Sequence, residues 1–223
     1  MTVETERSSR ATRPRRRLRG LVLGLVALVV VSALSVGGVL GVRWWQHGRH
    51  EEPYGPRAMD GRLLHDFPAV DVTALNPDQA RVAQVLRQQF EDQSGRDKYS
   101  EGVDEPWCAD FVSWVMRESG HPLSNPNSGS WRIPGVYTLE EYFRGQHRFE
   151  EANNIYRPQV GDVVMYADSS VFHQHTNIVI AVDSDTITTV GGNEAGESGG
   201  VAIHKFRPSG TSGLVGFGRL GTP

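Results

Sequence analysis

Residues 163–193 read VVMYADSSVFHQHTNIVIAVDSDTITTVGGN, and the reading of this stretch decides the fold. Its β-branched runs VVMYA, NIVIAV and TITTV are parted by short polar breaks, the pattern of strands joined by tight turns. VAIHKF (201–206) continues the series after GGNEAGESGG, and LVGFGRL (214–220) adds a last strand. Upstream the period changes to that of helices. In NPDQARVAQVLRQQFED (76–92), Asn76 suits an N-cap, Pro77 the first helical position and Gln79 the return bond of a capping box. Val82, Val85, Leu86 and Phe90 then recur as one buried stripe. CADFVSWVMRESG (108–120) gives a second stripe, Cys108, Phe111, Val112, Val115 and Met116, ended by Gly120. TLEEYFRG (138–145) predicts a short third helix capped by Thr138 and Glu141. Helices first and consecutive strands afterward predict an α+β domain, N-terminal helices packed on a mostly antiparallel sheet.

The N-terminal third has a different composition. Residues 1–19 hold seven arginines against Glu4 and Glu6, and Leu21–Val42 runs 22 residues without a charge. About 20 apolar residues suffice for a helix to cross a bilayer. The basic block ahead of that run predicts a cytoplasmic N-terminus and an extracytoplasmic remainder, with Trp44 and Trp45 at headgroup level. The expected organisation is a cytoplasmic tail (1–20), a transmembrane signal anchor (21–42), an extracytoplasmic linker (43–76) and a folded domain (77–223). The linker docks in part through Leu63, Leu64 and Phe67. Cleavage near Val31-Ser32-Ala33 is the rival reading, and it too exports the domain.

From Arg43 onward the chain carries 16 Lys and Arg against 24 Asp and Glu. An acidic exported part offers no electrostatic footprint for nucleic acid. One cysteine excludes an internal disulfide, so an exported Cys108 calls for another reason. It falls in the first turn of its helix, where unsatisfied N–H groups and the macrodipole favour negative charge on the sulfur and on an attacked carbonyl oxygen. Taken alone, a Cys on an apolar stripe is core filler.

A nucleophilic thiol needs a base, and the base an orienting partner. His175 stands at the mouth of the strand TNIVIAV. A turn centred on Ser184 carries the next strand back and sets His175 opposite Asn193, within one residue. An amide there holds one imidazole nitrogen and leaves the other to the thiol. Alone, His175 reads as a strand-end histidine, and Asn193 as a turn former inviting positive φ after Gly191-Gly192.

WCADFV opening a helix, PQVGDVVMY leading into a strand, HTNIVIAV and TVGGN together resemble the CHAP domain, the cysteine/histidine-dependent amidohydrolase/peptidase module of bacterial cell-wall enzymes, in the superfamily of the NlpC/P60 endopeptidases. The resemblance covers about residues 77–220. It implies a papain-like fold and hydrolysis of a peptidoglycan amide without a cofactor, with Cys108 as nucleophile, His175 as general base and Asn193 as polar third member. Many relatives carry Glu two positions before that Asn. Here the position is Gly191, with Glu194 as an alternative carboxylate. Some relatives bind calcium near the nucleophile, but Asp97, Glu101, Asp104, Glu105 and Asp110 lack the dense spacing of a calcium loop.

Two rivals stand beside this reading. His173 and His175, alternate residues on a strand, could share a zinc ion with Cys108, although no fourth ligand stands out. A wall-binding module that kept the fold without the chemistry would use aromatics such as Trp107, Trp131 and Tyr137 on glycan. The sequence leaves the oligomeric state and the bond cleaved open.

Overall fold

A computed structural model describes residues 62–153, 155–194 and 199–221. The basic tail, Leu21–Val42 and most of the expected linker lie outside the described residues. Among those described, no helix is long and apolar enough to cross a membrane.

The architecture is α+β. Seven strands form one antiparallel sheet: β1 (Arg62–Leu64), β2 (Phe149–Glu151), β3 (Val163–Tyr166), β4 (His175–Asp183), β5 (Thr186–Gly191), β6 (Ala202–Phe206) and β7 (Leu214–Gly218), in the spatial order β1-β6-β5-β4-β3-β7-β2. Among the described residues four α-helices accompany it: α1 (Pro77–Asp92), α2 (Arg96–Tyr99), α3 (Cys108–Glu118) and α4 (Val136–Gly145).

Local chemistry accounts for most boundaries. Asn76 Oδ1 accepts from the N–H groups of Asp78 and Gln79, and Gln79 Oε1 accepts from Asn76 N, so the capping box is complete. Gly120, at φ 86°, follows the end of α3 as expected. The helix expected at 138–145, α4, departs from expectation. It starts at Val136 behind Gly135, which places Thr138 inside the first turn instead of at the cap. Gly135 takes the N-cap position with extended backbone (φ −109°, ψ 136°) and no side-chain capping bond.

The β4–β5 hairpin turns through Ser184 (φ 54°) and Asp185, with Asp183 facing Thr186, and beyond a register shift Val179 faces Thr189 and Ile178 faces Val190. A bulge beside Ile180 absorbs one residue between the turn and these pairs. β1 and β2 escaped the sequence reading, because three-residue edge strands carry too little alternation to show a period. β1 pairs with β6, and Leu64, Phe67, Val70 and Leu75 pack on the core, so the end of the linker is built into the folded unit.

The sheet is apolar on both faces. Val163, Met165, Ile178, Ile180, Val190 and Ile203 join the helices in the main core, whereas Val164, Tyr166, Phe172, Val179, Ile187, Phe206 and Phe217 form a second cluster. Strand alternation explains the split, and it also places His175, Asn177 and Val179 on one side of β4. At the start of α3, Trp107 stacks on Tyr99 with centroids 5.1 Å apart and Phe111 packs edge-on against Tyr99. Such pairs contribute about 0.5–1.5 kcal/mol each beyond area burial. The end of β5 meets this aromatic cluster through Gly192. A Cβ there would lie 2.3 Å from Trp107 Cζ3 and 2.7 Å from Phe111 Cβ. Gly192→Ala should therefore destabilise the fold by about 1–3 kcal/mol, read as a lower urea midpoint at unchanged slope.

Candidate active site

Cys108 is the first residue of α3, and its N-cap, Trp107, makes no side-chain capping bond. The N–H groups of that first turn therefore keep their capacity to meet an acceptor from outside the helix. Trp107 is held by its stack instead, which fixes the position of the sulfur through packing. Two residues on, Asp110 is fully buried, and its Oδ1 accepts from Arg132 Nη1 at 2.8 Å while Glu105 accepts from the same nitrogen at 2.6 Å. Burial raises the Asp110 carboxyl to about 6, against the pull of Arg132. This cluster ties the irregular segment before α4 to the start of α3, and it occupies acidic residues considered above for calcium.

His175 opens β4 opposite Tyr166 and is fully buried. Phe172 lies nearly parallel to its ring, with centroids 5.8 Å apart, and Tyr166 flanks it at 6.2 Å. Its Nε2 meets Glu194 Oε1 at 2.7 Å. Nδ1 is buried without an aligned hydrogen bond, and Cys108 lies close enough to act on the ring's charge. The ring thus spans carboxylate and thiol.

The third group differs from the sequence expectation. Asn193 sits in the left-handed region at φ 62°, and its side chain turns toward Gly199, whose added Cβ would meet Asn193 Oδ1 at 2.6 Å. Its neighbour Glu194 makes the contact with His175 instead. The correction is one residue, and its cause is local. Positive φ at Asn193 redirects the chain, and Gly191 leaves open the space that the Glu194 carboxylate fills. A Cβ on Gly191 would lie 1.8 Å from Glu194 Oε1. The sequence signal was the missing side chain at 191 together with an acid three residues later.

A fourth member was not foreseen. His204 on β6 is buried, and its Nε2 lies 2.6 Å from Glu194 Oε2, an ion-pair contact whose alignment falls short of a hydrogen bond. Asn177 Nδ2 donates to Glu194 Oε1 at 3.5 Å and Tyr166 donates its hydroxyl proton to Asn177 Oδ1 at 3.3 Å. The one available signal was a histidine alternating with Ala202 and Phe206 in an otherwise apolar strand.

His173, by contrast, does not join the site. At φ 55° it stands in the turn before β4, with Nδ1 3.8 Å from Asp168 Oδ1 and its side chain half exposed. The alternation that would aim His173 and His175 to one face needs a strand at both, and β4 begins at His175. Among the described residues, no three His, Cys, Asp or Glu side chains are grouped to hold a metal ion. The centre is also more closed than an open cleft, since Cys108 is 4 % exposed and His175 0 %.

Burial opposes charging the His175 ring, but Glu194 and Cys108 outweigh it and hold the imidazole above its usual range. Burial likewise works against the Glu194 carboxylate, and His204 and His175 outweigh it, holding the group below the usual carboxylate range.

A thiol, an imidazole and a carboxylate in sequence are the groups of nucleophilic hydrolytic chemistry. Residues 99–193 match the family model of the CHAP domain. Such a domain points to amidase- or peptidase-type hydrolysis with peptidoglycan as substrate. Cys108, His175 and Asn193 fall inside the matched segment, and Glu194 lies one residue past its end. No curated protein and no solved structure matches the chain.

The two shifts have opposite linkage. The raised His175 contributes stability that is full below the unfolded imidazole value near ~6.5 and fades as pH rises through the folded one. The depressed Glu194 contributes above the unfolded value near ~4.3 and fades as pH falls through its folded one. Glu194→Gln should therefore cost most between about pH 4.5 and 6.5, on the order of 3–5 kcal/mol for a broken buried pair, and less at pH 9. Urea unfolding of both proteins across that range checks it.

Proposed function

We propose that the protein is a membrane-anchored, exported cysteine hydrolase that cleaves an amide bond of peptidoglycan, with Cys108 as nucleophile, His175 as general base and acid, and Glu194 as the group that orients the imidazole. The observation that carries the reading is the His175 ring held at Nε2 by Glu194 at 2.7 Å with Nδ1 left to Cys108. With Nε2 bound to a carboxylate, the proton exchanged with sulfur belongs to Nδ1.

In the first half-reaction Nδ1 takes the thiol proton and the sulfur attacks the amide carbonyl carbon. The carbonyl oxygen gains negative charge beside the N–H groups at the start of α3. The tetrahedral intermediate collapses, the C–N bond breaks, and Nδ1 returns the proton to the leaving amine. A thioester remains. Water then gives a proton to Nδ1, its oxygen attacks the thioester, and the thiol is restored as the carboxylic acid leaves. Glu194 stays ionised throughout and stabilises the imidazolium. Asn193, the third member expected from the sequence, keeps a role in shaping the turn that brings Glu194 inward.

Anchoring rests on composition. The 22-residue uncharged run Leu21–Val42 behind the basic tail is long enough to span a bilayer and orients residues 43–223 outward. A wall-binding module without turnover is the second reading, and the closure of the centre, with Cys108 4 % exposed, is the observation that favours it.

Incubation of the full chain with purified peptidoglycan, followed by mass spectrometry of released fragments, separates the two. Hydrolysis releases fragments bearing one new amine and one new carboxylate, and Cys108→Ala releases none while still folding. Glu194→Gln should lower the rate by about 10²–10⁴, whereas Asn193→Ala should cost less than about tenfold. Fragment release by Cys108→Ala at the wild-type rate ends the proposal.

A further inference from the structure

The reaction just described uses one face of the Glu194 carboxylate and leaves the other unexplained. Glu194 is 4 % exposed and meets two histidines, hydrogen-bonded to His175 at Oε1 and in ion-pair contact with His204 at Oε2, where the two atoms are close but not aligned as a hydrogen bond. A carboxylate removed from water keeps its charge only where its lone pairs meet donors. Phe172, which packs edge-on against His204, and Phe206 beside it offer no donor that could replace His204 were it removed. Proton transfer from an imidazolium at 175 to the carboxylate would then compete with holding that imidazolium charged.

The architecture around the contact is rigid. His204 lies in the middle of β6, paired with Thr189 on one side and Leu63 on the other, so the β1 and β5 ladders fix its backbone. Phe172 meets both histidines, parallel to His175 at 5.8 Å and edge-on to His204 at 5.7 Å. One aromatic ring therefore sets the spacing of the two imidazoles that share the carboxylate.

We infer that His204 is a positioning residue which, by presenting a protonated Nε2 to Glu194, keeps that carboxylate ionised and aimed at His175, and so keeps the Cys108 thiol reactive. The inference deepens the hydrolase reading and rests on it for its biological meaning. Its chemistry is separately measurable, because thiolate character governs the rate of thiol alkylation whether or not peptidoglycan is cut.

The test uses the full chain in detergent micelles with iodoacetamide at pH 7. His204→Phe keeps the ring volume and removes the donor, and alkylation of Cys108 should slow about tenfold, the effect of one unit in the imidazole's affinity for its proton. His204→Gln keeps an N–H donor at similar reach and should restore most of the rate. A loosened fold would expose the buried thiol and speed the reaction, so the expected sign differs from that of a structural defect. Alkylation at or above the wild-type rate in His204→Phe overturns the inference, as does equal slowing in the glutamine variant. In the unsubstituted protein labelled with ¹⁵N-histidine, the His204 Nε2 resonance should be that of a protonated nitrogen. An unprotonated Nε2 overturns the inference even where both variants fail to fold. If peptidoglycan survives intact while alkylation follows the expected pattern, the hydrolase reading fails and the role of His204 stands.

Discussion

A single buried carboxylate governs the centre. Glu194 joins two strands that are not neighbours in the sheet, β4 through His175 and β6 through His204, and it does so from the segment that leaves β5 between them. An ionised group in that position is tolerable only with cationic or donor groups close to both oxygens, a hydrogen bond at Oε1 and an ion-pair contact at Oε2. The tautomer of His175, the orientation of its second nitrogen and the electrostatic setting of Cys108 all follow from that requirement.

Two adjacent glycines make the placement possible. Gly191 gives up the volume that the Glu194 carboxylate occupies, and Gly192 lets β5 close against Trp107 and Phe111 at the start of α3. Neither serves mainly as a flexible hinge. Each is a site where a neighbour takes the space of a missing side chain, so the end of β5 fixes the carboxylate on one side and the nucleophile helix on the other. The positive φ of Asn193 completes the redirection.

The order of elements was legible because the periods are strong. The apolar stripe of α3, the capping box of α1 and the long β4–β5 hairpin are each written in residues close together in sequence. The hairpin register even led to within one residue of the group that meets His175. What could not be read depends on contacts between distant segments. β1 and β2 exist because β6 and β7 offer edges, and no three-residue string announces that. Choosing Glu194 over Asn193 required the φ of one turn residue and the empty volume at Gly191. His204 required knowing that β6 lies beside β5 with Glu194 above both. His173 failed as a partner of His175 for the converse reason, a turn where alternation was assumed.

The near-complete enclosure of the sulfur has a consequence for the chain as a covalent object. Reagents sort by size at a thiol with so little surface: a second protein cannot approach closely enough for thiol exchange, and sulfenic acid formation is limited by how seldom an oxidant arrives. The fold thereby acts as a steric filter, separating reactivity toward a slender guest from vulnerability to the surrounding medium. A residue with no disulfide partner anywhere in its own chain can persist as a thiol because its neighbours, more than its chemistry, decide what it meets.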